Sequence, residues 1–256
     1  MKNLRIFKTE EEYNKETFSD YLPYVVMKKD DNKLIYRPQT LYNSNNDSDI
    51  GDWVDLGLPS GTLWVSYDLG AKKKAGYGNI YMWGQTGNGC GSPSDCSWQK
   101  SPLNGGYSTA NETVIENNKK TFCSNNVLID KYDAAYQLTK DEGRMPTMPE
   151  LMELFNNTIK NLTTIDTNSV TPGVMQRMNA IRLSSKTNNK SIIMPAIGYW
   201  SEGERHDNGN FYMWTSFGSG GIGASMVCML SDQLNGSLAL TSSPIIWGTL
   251  IRPVKV

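Results

Sequence analysis

The chain has 256 residues with 25 basic and 26 acidic side chains, a net charge of −1, 23 glycines, seven tryptophans and 13 tyrosines. That length buries a sizeable core and holds one large domain, or one domain with an appendage. The balanced charge leaves no electrostatic footprint for nucleic acid or an anionic membrane, and the glycine and aromatic content favours a loop-rich, β-containing protein over a helix bundle.

Residues 1–37 carry fifteen charges. The opening Met1–Glu10 has no apolar stretch and runs into acids, so no secretory signal is expected. Tyr24–Met27 and Leu34–Tyr36 flank a turn-forming run, which predicts a β-hairpin. A lone hairpin does not hold itself in water, so it is expected to dock on another chain or on the main domain. Pro38–Gly51, rich in Asn, Ser and Asp, reads as a linker. Its Asp47 and Asp49 are expected to be solvated rather than to bind calcium. Residues 1–50 are thus predicted to be a docking segment, and 51–256 the main domain.

In that domain Trp53–Leu56 and Thr62–Val65 read as strands around Pro59-Ser60-Gly61. The first is expected to lie near the C-terminal strand. Residues 84–126 are predicted to be a long loop, and Asp130–Lys140 a helix. A second helix starts at Thr147, where Thr147-Met148-Pro149-Glu150 is a capping box ahead of Leu151, Leu154 and Phe155. Ser191–Tyr199, Tyr212–Phe217, Met226–Leu230, Ser237–Thr241 and Leu250–Val254 are predicted strands. Trp64, Trp83 and Trp214 lie in β-prone apolar runs and are predicted to be buried.

Between Asp207 and Arg252 there are 44 residues and one charge, Asp232. Gly218, Gly220, Gly221, Gly223 and Gly236 interrupt the stretch along with many serines, so it is not a membrane span. Small polar groups alternate with apolar anchors, which suits a surface that binds something. A sheet with a large buried face would account for the same composition.

Few residues point to catalysis. Gly84–Gly89 is glycine-rich but is followed by neither Lys-Ser/Thr nor a helix, so it is no phosphate loop. The four cysteines lack a zinc spacing. Cys90 and Cys96 share a Gly/Ser/Pro loop and can close a small disulfide if oxidised, although free thiols are the expectation in a reducing cytosol. Cys228 has no histidine partner, because the one histidine, His206, lies in a hydrophilic turn and is expected to be solvated. No enzyme activity, cofactor or metal is expected.

Five ordered motifs, Asp52–Trp64 (DWVDLGLPSGTLW), Gly78–Thr86 (GNIYMWGQT), Gly143–Leu151 (GRMPTMPEL), Ile193–Tyr199 (IMPAIGY) and Tyr212–Ser216 followed by Gly248–Val254 (YMWTS…GTLIRPV), resemble the Fibrobacter major paralogous domain of gut Bacteroidetes and their phages. The likeness spans about 52–256. It implies an α+β, C-type lectin-like fold with long irregular loops, here preceded by a small β-hairpin appendage. Related proteins include formylglycine-generating enzymes and the variable proteins of diversity-generating retroelements. The enzymes' Arg-x-Pro-Thr-x-x-Glu pattern is present at Arg144–Glu150, but their C-terminal copper-binding cysteine pair is missing, which leaves an oxidase a weak third reading. The calcium motifs of sugar-binding animal lectins are absent too.

Leu22–Val26 and the hairpin after it resemble leader segments on virion proteins of Bacteroides phages. The resemblance therefore implies a phage tail receptor-binding protein, made in the host cytoplasm, with a retroelement-diversified C-terminal face. A bacterial surface adhesin module is the alternative. The implied partners are a bacterial surface protein or glycan and other virion proteins through residues 1–50, with no nucleic acid. A homotrimer is expected by analogy. Strand alternation puts Met226, Cys228 and Leu230 on one face, read as exposed or half-exposed, against the alternative that they pack under a loop. The expected ligand-binding residues are Phe217, Ser219, Ile222, Met226, Cys228, Leu230, Asp232, Gln233, Asn235, Ile245, Ile246 and Trp247.

Overall fold

The computed structural model describes residues 24–28, 33–37, 51–71, 77–168, 175–206, 209–229 and 239–256. The chain divides into two units, Met1–Asp47 and Ser48–Val256. In the first, β1 (Tyr24–Lys28) and β2 (Lys33–Arg37) form the expected antiparallel hairpin, with Tyr24 opposite Arg37 and Lys28 opposite Lys33. The predicted linker and its two aspartates, except Gly51, lie outside the described residues.

Among its described residues the second unit mixes three α-helices with several small antiparallel sheets. It opens with β3 (Trp53–Asp55) and β4 (Leu63–Val65), paired with Val54 opposite Trp64. The region read as one long loop contains a helix, α1 (Glu112–Phe122), capped by Asn111 Oδ1, which accepts from Val114 N–H. Only Ile115 of α1 is fully buried, so its apolar face is too narrow to announce a helix by periodicity. Next come β5 (Cys123–Ser124) and β6 (Val127–Leu128), joined by Asn125 and Asn126 at φ 51° and 63°. Positive φ at both central residues is what a two-residue hairpin turn with the right twist requires.

The predicted helix over Asp130–Lys140 is broken in two. A 3₁₀ turn covers Asp130–Tyr132, and α2 (Ala134–Leu138) restarts behind Asp133. The Asp133 carboxylate accepts from Ala135, Tyr136 and Met145 N–H, so it caps the new helix and ties it to the chain ahead. By contrast α3 (Met148–Asn157) starts where the capping box says, and buries Leu151, Leu154 and Phe155.

Two long strands that the sequence reading did not include follow, β7 (Thr158–Asn168) and β8 (Met175–Ser185), in antiparallel register. β9 (Ser191–Pro195) pairs with β8, and β10 (Tyr199–Ser201) with β11 (Glu204–His206). The last sheet has the order β12 (Phe211–Trp214), β13 (Gly223–Met229), β14 (Ala239–Pro244). β15 (Val254–Lys255) pairs with β4 rather than β3, Val254 opposite Trp64, which closes the two ends of the unit on each other. The predicted strand over Leu250–Val254 is reduced to β15 and isolated bridges at Thr249, Leu250 and Val254.

β12 is buried along its whole length and separates two cores. Phe211 and Met213 face Trp64, Leu151, Leu154, Phe155 and Val254, while Tyr212 and Trp214 face Trp83, Ile80, Ala224, Met226 and Ile245. Alternation across a strand walled on both sides explains why its four residues are all apolar. Trp64, Trp83 and Trp214 are each fully buried, as expected.

Candidate ligand-binding face

Among the described residues, two segments of the charge-poor stretch bring expected binding residues to the surface. The first is the loop after β12. Its start is fixed from inside: Thr215 Oγ1 and N–H both donate to Ser225 O, and Trp83 Nε1 donates to Thr215 O. The β5–β6 hairpin holds its flank, through Leu128 N–H to Ser216 O and Gly218 N–H to Asn126 O. Phe217 is left 40% exposed, bridged by backbone to Val127. Val127 and Ile129 line a shallow, solvent-open depression of about 410 Å³ with Ser124, Leu128, Asp130 and Lys131.

Lys119 of α1 pins the far side of this loop. Its ammonium donates to the carbonyls of Ser219, Gly221 and Gly223, at 2.8 Å for the first. Burial pulls Lys119 below the ordinary lysine range. Three converging carbonyls satisfy its three donors without a carboxylate at hydrogen-bonding distance. Gly223 is needed here, since a Cβ would fall 2.3 Å from Ser242 Oγ and 2.6 Å from Ser219 Oγ. Lys119 was not legible in the sequence, because it lies in a helix read as loop, a hundred residues before its partners.

The second segment is the turn after β14. Trp247 stacks on Tyr199 with ring centres 3.8 Å apart, and His206 stacks on the same tyrosine at 5.0 Å. Tyr212 meets Tyr199 edge-on at 5.2 Å. Stacking of this kind adds to the burial of each ring. His206 is accordingly not a solvated turn residue: it pairs with Tyr199 across β10–β11 and is half-buried.

The expected binding residues therefore separate. Phe217 is exposed, and Ser219, Ile222 and Trp247 are half-buried at the surface. The two segments touch where Ile245 N–H donates to Ile222 O. Ile245 and Ile246 are themselves core residues, 0% and 3% exposed. Met226 is also a correction. It is 0% exposed because it stands opposite Trp214, and directly opposed residues share a face. The face on which Met226 lies is the inner one. Cys228 is described by its backbone register alone, opposite Tyr212 and Ala239. Leu230, Asp232, Gln233 and Asn235 lie outside the described residues.

The Arg144–Glu150 pattern has a structural task. Arg144 Nη1 and Nη2 bind the two Glu150 oxygens at 2.9 and 2.6 Å, and Glu150 also accepts from Thr147 N–H and Oγ1. Arg144 pairs by backbone in both directions with Val254. The motif thus anchors the start of α3 to the C-terminus. Among the described residues there is no cluster of three or more His, Cys, Asp or Glu side chains able to hold a metal. None of the described helices is long and apolar enough to cross a membrane. Compared with models of known protein families, with curated proteins and with solved structures, the chain matches none of them.

Proposed function

We propose that this protein binds ligands without catalysing a reaction, as a C-type lectin-like receptor-binding component of a phage tail whose C-terminal face contacts a protein or glycan on a bacterial surface. The observation that carries this reading is the Phe217–Gly223 loop. It presents Phe217 and Ile222 in a stretch free of charged side chains from Thr215 to Met229, yet it is fixed by Lys119 and the β5–β6 hairpin. Apolar anchors on a rigid support lose little freedom on binding, the economy that recognition surfaces rely on. The resemblance of five sequence motifs to phage and gut Bacteroidetes domains supports the same reading. In the same reading residues 1–50 join the chain to other virion proteins, the working form is a homotrimer, and the last quarter differs between related copies.

Binding of the purified full chain to intact cells of a panel of gut Bacteroidetes tests this. Saturable binding to some strains is expected, falling at least about tenfold for Phe217→Ala at unchanged melting temperature, as for a central anchor. No binding to any strain, or equal binding by wild type and variant, overturns it.

A further inference from the structure

We propose that Cys90 and Cys96 form an oxidation site that closes into an intramolecular disulfide. Both thiols are buried, at 5% and 0% exposure, and Cys96 S–H donates to Cys90 Sγ at 2.8 Å. A disulfide bond measures about 2.05 Å, so the sulfurs need to approach by less than about 1 Å. The backbone already fixes both ends. Cys90 N–H donates to Ile80 O at 2.6 Å, Cys96 N–H closes the 3₁₀ turn Pro93–Asp95, and Glu202 N–H donates to Cys96 O. On the other side Gly248 leaves room for the sulfur, since a Cβ there would lie 2.2 Å from Cys96 Sγ.

The two thiols are unequal, which sets the order of events. The hydrogen bond from Cys96 holds Cys90 below the usual thiol range, while the same bond and burial push Cys96 up. Cys90 is also the sulfur an oxidant can reach, at 5% exposure against 0% for Cys96, so it is the nucleophile and Cys96 the resolving group. With hydrogen peroxide as oxidant, the Cys90 thiolate attacks one oxygen, the O–O bond breaks, and the hydroxide released takes up the thiol's former proton, so that sulfenic acid and water form. Cys96 sulfur then attacks Cys90 sulfur, the S–O bond breaks, and the hydroxyl leaves as water with the Cys96 proton. Two thiols lose two electrons and one peroxide becomes two waters. Cys123 is a poorer target, because burial pushes its thiol up to about 11 and no cysteine among the described residues is bonded to it.

The cross-link would sit under the aromatic stack. Gly248 exchanges two backbone hydrogen bonds with Trp200 and follows Trp247 directly. Closing the short loop is therefore expected to stiffen the floor beneath Trp247 and Tyr199, whatever ligand the face binds.

Hydrogen peroxide treatment of the full chain, then unfolding in an alkylating agent and peptide mass analysis, tests the site. The peptide holding both cysteines is expected to be unalkylated and about 2 Da lighter through loss of two hydrogens. The melting temperature should rise by about 5 °C and return with dithiothreitol. Cys96→Ser should show no rise and should carry oxygen on Cys90. If that variant does not fold, the wild-type mass decides alone. Full alkylation of Cys90 and Cys96 after peroxide, or a cross-link to Cys123 or Cys228, overturns the proposal.

Discussion

Arg252 and Asp68 form an ion pair in which neither side chain has any solvent exposure, with Nε and Oδ1 2.8 Å apart. The guanidinium also donates to Val65 O at the end of β4 and to Ile193 O in β9. One side chain thus ties three stretches of chain, and the charge-poor segment ends on an arginine for that reason. Arg252→Met is expected to cost about 3–5 kcal/mol, the usual penalty for leaving a buried charge unpaired. Urea unfolding checks it; a loss below about 1 kcal/mol would mean that water reaches Asp68.

Lys119 acts on the loop rather than on the whole fold. Lys119→Met keeps much of the stem and removes the donors from three carbonyls. A global loss of about 1–3 kcal/mol is expected, with faster amide exchange concentrated in residues 217–223. Unchanged exchange in that loop would mean that Thr215 and the β5–β6 hairpin hold it alone.

The sequence was most legible where one residue type has one use. The capping box at Thr147 gives the start of α3 to the residue, and the apolar runs around Trp64 and Trp214 give buried strands, while the run around Trp83 gives a buried turn. It was less legible where tertiary pairing decides. β7 and β8 are long strands with much polar content, and their eleven paired positions were not recognised. Met226 shows a subtler limit: period 2 groups residues by face, and only the neighbouring strand tells which face is inside. For the candidate site, Phe217 and Trp247 could be chosen from composition. Lys119 and the His206–Tyr199–Trp247 stack could not, since they depend on elements brought together only by folding.

Glu150 serves both the helix start and Arg144, and two substitutions separate these tasks. Glu150→Ala removes both and should cost about 2 kcal/mol. Glu150→Gln keeps an acceptor for Thr147 and should cost about half as much, since the Arg144 side chain is 40% exposed and a partly solvated pair adds little. Equal losses for the two variants would place the stabilisation in the ion pair instead.

Two buried carboxyls set the expected pH dependence. Burial pushes Asp68 and Asp133 up to about 6 each, against the lowering effects of Arg252 and of the backbone donors respectively. An unfolded aspartate titrates near about 3.9. Between about pH 4 and 6 the folded chain therefore binds more protons than the unfolded one, and stability falls as pH rises through that window. Glu150 works the other way: Arg144 and Thr147 hold it below the ordinary glutamate range despite burial, so its contribution is lost as pH falls below about 4.5. The urea midpoint is thus expected to be highest near about pH 4 and to decline from there towards pH 7, with each buried aspartate contributing on the order of a few kcal/mol at most. Asp133→Asn should be less stable throughout, because its amide nitrogen cannot accept from Met145 N–H, and its decline between pH 5 and 7 should be shallower than that of the wild type. A wild-type midpoint that climbs steadily from pH 5 to 7 would show that both carboxylates are stabilised in their charged form, against the effect of their burial.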